Sequence, residues 1–189
     1  MSASLGFHDR RGAAGYDISI ERMGDNVVQQ HYWKELHQLK THIGFIELLL
    51  ESAESKDLAL KIILAVAAST SIGAWAIWKD LSWLWAFIIA LSQVIAAVNH
   101  YLPYKERIKT YPGLIRDLED IMIQAEQKWH SIAEGKLTSE EINIARFAIR
   151  TSKQKTLNKH ITTTIPTAAK LHEKAESSSR AYLENFYLA

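Results

Sequence analysis

The chain has 189 residues, with 22 lysines and arginines against 21 aspartates and glutamates, and it contains no cysteine. The balanced charge excludes a protein that is polybasic or polyacidic as a whole. The lack of cysteine excludes disulfides, thiol nucleophiles and cysteine-ligated metals. The distribution of apolar and charged residues along the chain therefore carries the remaining information.

The N-terminal part of the chain divides into a tail and a helix. Residues 1–24 hold four of the eight glycines and show no helical period, so we predict a flexible tail there. An amphipathic cytosolic helix is predicted over 25–60, because its apolar residues alternate steps of four and three, the spacing of a helix that packs against a partner helix. This seam consists of Tyr32, Leu36, Leu39, Ile43, Ile46 and Leu50.

Two runs without any Asp, Glu, Lys or Arg occupy the middle of the chain. They extend over 62–78 and 81–104, and only Lys79 and Asp80 separate them. A helix that crosses a bilayer needs roughly 20 mostly apolar residues, with a range of about 17–25. We therefore predict an all-α integral membrane protein with a two-helix transmembrane hairpin over 61–104. The alternative is the centre of a soluble helical bundle, whose helices normally carry a charged outer face.

Aromatic and basic side chains flank the two predicted spans. Trp and Tyr favour the level of the lipid headgroups, and lysine side chains can extend toward it. Lysines and arginines are more frequent beside the outer ends of the hairpin than at its tip, so the positive-inside rule places both termini in the cytoplasm. The predicted interfacial anchors are Lys61, Trp75, Trp78, Lys79, Trp83, Trp85, Tyr101 and Tyr104.

Small and polar residues follow one side of each predicted span. Small residues let transmembrane helices approach closely, and polar residues within a membrane face a bundle interior or a water-filled path. Two interpretations remain open: these residues pack the spans together, or they line a pore. A pore requires a homo-oligomer, because two helices cannot enclose a conducting path. The residues are Ala65, Ser69, Gly73, Ala86, Ala90, Gln93, Ala97, Asn99 and His100.

The last part of the chain, 105–189, is predicted to be a cytosolic helical hairpin or bundle. An amphipathic helix is expected over 113–134. Thr138 and Glu141 have the spacing of a capping box, which starts a second helix. A β-branched stretch that ends in Pro166 separates it from a third helix over 167–188.

Charge is segregated within this C-terminal part. Acids dominate 113–141, whereas 142–172 has bases and no acid. We predict an antiparallel hairpin in which the acidic and basic helices attract each other. The alternatives are a surface for anionic lipid headgroups or for nucleic acid or a nucleotide-binding partner, although the near-absence of aromatic residues there argues against direct nucleic-acid binding. The basic surface comprises Arg146, Arg150, Lys153, Lys155 and Lys159.

No catalytic pattern accompanies these features. The sequence has no phosphate-cradling glycine loop, no G-x-S-x-G motif and no helical pair of histidines four residues apart. We therefore expect a protein that is not an enzyme and that has no cofactor and no metal.

The order of these features resembles the SLATT-type two-transmembrane effectors of bacterial conflict and anti-phage systems, including those associated with CBASS and retrons. The matching parts are the helix Trp33–Leu50, the hairpin 62–102 with its tip at Lys79 and Asp80, and the helical tail from Lys105 onward. The resemblance is one of architecture and supplies no ligand residues.

The resemblance implies an effector of abortive infection that resides in the bacterial inner membrane. Its expected partners are the lipid bilayer, further copies of itself, and a cytosolic sensor such as a nucleotidyltransferase or retron complex. On this reading the hairpins oligomerise and permeabilise the membrane when the partner triggers them. The alternatives are a membrane anchor or scaffold that recruits a cytosolic partner without a pore, and a soluble all-helical interaction protein.

Overall fold

The computed structural model describes residues 11–73, 82–99, 104–162 and 164–187, and these residues form five α-helices. They are α1 (Arg11–Gly73), α2 (Ser82–Asn99), α3 (Tyr104–Ala133), α4 (Ser139–His160) and α5 (Ala169–Tyr187). The predicted all-α class is therefore confirmed for the described part of the chain.

Helix α1 is the longest element and organises the fold. Its 63 residues contain no proline, and at 1.5 Å per residue they extend over about 95 Å. The helix begins at Arg11, well before the predicted start near residue 25, and it continues into the first apolar run. Each of the other four helices packs against α1, and α3 and α4 also pack against each other.

The core lies along the predicted seam of α1. Five of its six residues are fully buried or nearly so, and Leu50 is half-buried. Facing residues of α3, α4 and α5 complete the cluster, including Leu114, Leu118, Ile149 and Leu183. The seam prediction is confirmed because spacing of three and four residues places these side chains on one side of a helix.

Tyr32 ties α1 to α3 through its polar end as well as its ring. Its hydroxyl donates a hydrogen bond to the carbonyl oxygen of Ala125 at 2.9 Å, and its ring stacks on Trp129 with centroids 6.1 Å apart. Burial raises the pKa of the Tyr32 phenol. The hydroxyl therefore stays protonated and remains a donor in this interface.

The start of α4 follows the predicted capping box. The Thr138 hydroxyl accepts a hydrogen bond from the Glu141 backbone N–H at 3.3 Å, and the Glu141 carboxylate accepts one from the Thr138 backbone N–H at 2.8 Å. Gly135 precedes it with φ of +69°, a conformation that favours glycine. Helix α3 departs from the prediction, since it begins at Tyr104 and continues through Pro112.

The predicted integral-membrane fold with a two-helix transmembrane hairpin is wrong. Among the described residues, no helix is long and apolar enough to cross a membrane. The described part of the first run, 62–73, is the end of α1 and covers about 18 Å. Helix α2 has 18 residues, about 27 Å, against a hydrocarbon core of about 30 Å.

We predict that Leu39→Ala destabilises the bundle by about 2–5 kcal/mol, because it removes a fully buried side chain and leaves a cavity. Denaturant unfolding followed by circular dichroism measures the change. Ile123→Ala is the matched control, since Ile123 on α3 is exposed and its truncation should change stability by no more than about 0.5 kcal/mol. Equal losses in the two variants would contradict the assigned core.

Candidate functional site

The most unusual surface of the molecule is apolar and exposed. It lies where the end of α1 meets α2, and its large side chains are 44 to 70% exposed. We call this surface the apolar arm. It consists of Leu58, Ile62, Ile63 and Val66 on α1 and of Trp83, Phe87, Ile89, Leu91 and Val94 on α2.

The exposed side chains of α2 cover more than half of its circumference. Successive residues of an α-helix are about 100° apart, so the exposed positions between 83 and 97 extend over about 200° around the axis, and half-buried Ser92 and Ile95 lie on the other side. The helix also contains no Asp, Glu, Lys or Arg. A helix that is apolar on every side is normally covered by protein or lipid, and contiguous apolar patches of this kind mark interaction sites.

The predicted pore-lining or packing residues fall mostly within this arm. Ala65, Ala86, Ala90, Gln93 and Ala97 are exposed. Ser69, Gly73 and Asn99 lie within α1 and α2, and His100 lies outside the described residues. Their role in lining a path or packing two spans stays a prediction.

The predicted interfacial anchors are partly described. Lys61 pairs with Asp57 one turn earlier on α1, at 2.5 Å, and Trp83 is among the most exposed apolar side chains of the arm. Trp85 and Tyr104 lie within α2 and α3. Trp75, Trp78, Lys79 and Tyr101 lie outside the described residues.

The predicted basic surface lies on α4, where carboxylates from two other helices compensate part of its charge. Glu35 of α1, only 2% exposed, binds Arg150 at 2.5 Å and lies 3.8 Å from Lys153. Asp117 of α3 binds Lys159 and His160, each at 2.8 Å. Hydrogen bonds from Lys159 and His160 lower the pKa of Asp117, so this carboxylate stays charged.

The expected attraction between acidic α3 and basic α4 therefore occurs at Asp117, whereas sequence reasoning missed Glu35. The sequence does indicate that Glu35 is buried, because it lies three residues after Tyr32 and directly before Leu36, on the apolar side of α1. A charged residue at such a position requires a partner. The sequence could not show that the partner comes from α4.

Two bases of α4 make no ion pair within the described part of the chain. One is Lys155, which is exposed. The other is Arg146, whose guanidinium carbon lies 4.9 Å from the centre of the Phe147 ring. The Nε atom of Arg146 is buried and has no hydrogen-bond partner there. The charge that remains available on α4 is thus much smaller than its sequence suggests.

Two of the clefts in the bundle have mainly apolar walls. One, of about 390 Å³, lies between α3 and α4, and its lining includes Ile121, Ala145, Ile149 and Tyr32. The other, about 480 Å³, lies at the start of α5 and is lined by His42 and His172. Within the described ranges, no group of three or more His, Cys, Asp or Glu side chains could hold a metal ion.

No protein-family model, curated protein or solved structure matches this chain. We therefore infer its function from the apolar arm and from the charges of the bundle.

We predict that Arg150→Gln destabilises the protein by about 1–3 kcal/mol, because it leaves the buried Glu35 carboxylate without its nearest partner. Lys155→Gln is the matched control. It removes the same charge from an exposed side chain of the same helix and should cost no more than about 0.5 kcal/mol. Thermal unfolding near pH 7 compares them, and indistinguishable melting temperatures would contradict this role of Glu35.

We predict that the protein loses stability as the pH falls below about 6.5, and that His42 accounts for part of the loss. Burial, then the charges of Lys153 and His172, lower the pKa of His42. The unfolded chain therefore binds this proton more readily than the folded protein, so the stabilisation is present above the ordinary pKa and lost below it. Unfolding of wild type and His42→Gln at several pH values measures the difference, and parallel pH profiles would contradict the prediction.

Proposed function

We propose that the protein is a non-catalytic scaffold that attaches to a lipid bilayer without forming a pore and holds a protein partner on its helical bundle. The observation that carries the proposal is the exposed, charge-free surface around α2. The bundle has its own complete core on α1. The apolar arm is not needed for that core and is available for binding.

Lipid fits the shape of this surface better than a second copy of the chain. A neighbouring helix covers a stripe about 100° wide, whereas the exposed residues of α2 extend over about 200° of its circumference. Acyl chains can cover the whole of such a side. Trp83, which is 70% exposed, has the chemistry that favours the headgroup level. We therefore assign the arm to shallow insertion from one side of the bilayer.

We do not propose a pore, because a pore would require the two-span hairpin. By resemblance alone, the membrane would be the bacterial inner membrane, and the partner would be a nucleotidyltransferase or retron complex of an anti-phage system. In that setting both termini would lie in the cytoplasm. A scaffold inserted from the cytoplasmic side is compatible with this placement.

A second candidate is an interaction protein whose arm is covered by protein instead of lipid. The observation that favours it is the alternating spacing of four and three between exposed positions 83, 87, 90, 94 and 97 of α2, which is the spacing of a helix that packs against a partner helix. Lipid covers the exposed side of α2 in the first candidate, and protein covers it in the second. Vesicle flotation separates them.

We expect the full chain to float with vesicles of phosphatidylcholine and phosphatidylglycerol in a density gradient. Phe87→Glu and Val94→Glu should each reduce the floating fraction strongly, since a carboxylate in an apolar lipid environment costs about 2–3 kcal/mol. The matched control is Ile144→Glu. It places the same charge at an exposed apolar position of the bundle, and it should float like wild type.

Three results would contradict the proposal. If the chain stays at the bottom of the gradient as a defined oligomer that Phe87→Glu dissociates, the arm binds protein. If Ile144→Glu abolishes flotation as strongly as the arm variants, the arm is not the attachment site. If bound protein releases a dye trapped in the vesicles, it permeabilises them.

A further inference from the structure

Phe147 is a large apolar side chain exposed on α4. It is 53% exposed, and the guanidinium carbons of Arg146 and Arg150 lie 4.9 and 5.9 Å from its ring centre. Both distances lie within the cation–π range. We call these three residues the Arg–Phe cluster. Ile144, three residues earlier and therefore on the neighbouring part of the helix surface, is 62% exposed.

The contacts of the cluster orient its two arginines. The buried Glu35 carboxylate holds the Arg150 guanidinium through an ion pair. Arg146 lies against the phenyl ring, and its charge has no acidic partner in the described part of the chain. A planar guanidinium held in this way binds a carboxylate through two parallel hydrogen bonds, and less conformational freedom is lost than for a free side chain.

The composition of this surface is that of a protein-binding site. Arginine and aromatic residues are enriched among the side chains that dominate protein interfaces. The region 142–172 contains no acid, so a basic partner would be repelled and an acidic one attracted. Phe147 and Ile144 add an apolar contact beside the charge.

Nucleic acid fits the same surface less well. Three of the five bases of α4 are already paired with Glu35 or Asp117. Lys155 shares a depression with Asp117 and Asp120 of α3, whose carboxylates repel phosphates. A phosphate backbone is bound through many uncompensated cations, and this face offers few.

We propose that the Arg–Phe cluster and Ile144 form the docking site for an acidic, partly apolar segment of a protein partner. A carboxylate of that segment binds Arg146, and an adjacent apolar side chain packs on Phe147 and Ile144. The inference rests on the proposed scaffold function and names the kind of partner that the scaffold would hold.

The test measures binding of labelled synthetic helical peptides to the full chain by fluorescence anisotropy. The probe is an amphipathic peptide with a leucine seam and glutamates elsewhere, and its counterpart has lysines in place of the glutamates. A single-stranded oligouridine tests the nucleic-acid alternative. We expect the glutamate peptide alone to bind, and its affinity to fall as the salt concentration rises.

Two matched pairs of variants locate the site. Arg146→Gln should weaken binding of the glutamate peptide about five- to thirtyfold, whereas Lys155→Gln, which removes the same charge from the same helix, should leave it nearly unchanged. Phe147→Ala should weaken binding about as much as Arg146→Gln. Its control is Phe186→Ala, which removes an equally large exposed ring from α5. All four side chains lie outside the buried core, and thermal unfolding verifies that each variant folds.

The proposal is overturned if Arg146→Gln and Lys155→Gln weaken binding equally, because attraction is then non-specific. It is also overturned if the lysine peptide or the oligouridine binds more tightly than the glutamate peptide, or if no peptide binds to the folded chain. Vesicle flotation of Arg146→Gln distinguishes the two proposals. If Arg146→Gln floats like wild type but no longer binds the glutamate peptide, the docking site is supported independently of the apolar arm.

Discussion

The structure depends on the apolar seam of one helix. Helices α3, α4 and α5 bury their apolar sides against the same stretch of α1, between Tyr32 and Leu49. Each contact removes apolar surface from water, and burial of a large side chain contributes about 1.5–3 kcal/mol. Because α1 is shared by all these contacts, its continuity holds the bundle together. The hydrogen bond from Tyr32 to α3 and the ion pair from Glu35 to α4 add directional constraints to the same surface.

Two parts of α1 have different environments. The stretch from Tyr32 to Leu49 is covered by the bundle, whereas most apolar side chains between Leu58 and Val66 are exposed together with those of α2. A contiguous apolar surface of this kind marks an interaction site. The described part of the molecule thus combines a bundle that folds around its own core with an exposed apolar surface. The scaffold proposed above uses this division, since the apolar surface would attach and the bundle would recruit.

Charge has two roles in the bundle. Glu35 and Asp117 hold α4 against α1 and α3, so the bases that they bind serve the fold. Arg146 is half-buried beside Phe147 and has no acidic partner among the described residues, so its charge is not compensated there. A count of basic residues on α4 overstates the charge available for binding, since most of that charge is used within the molecule. The distinction matters because a compensated cation attracts an anionic partner weakly.

The sequence by itself determined the helical class, the seam of α1, the capping box at Thr138 and the break near Pro166, because each depends on residues within a few positions of one another. The membrane hairpin was wrong, because no helix among the described residues combines the length and the apolar character that a membrane span requires. Only the tertiary structure decided that Glu35 pairs with Arg150, 115 positions away in the chain, and that Arg146 lies beside an exposed ring without an acidic partner among the described residues. Pairings of this kind depend on how helices pack against one another, which the spacing of residues within a single helix does not specify.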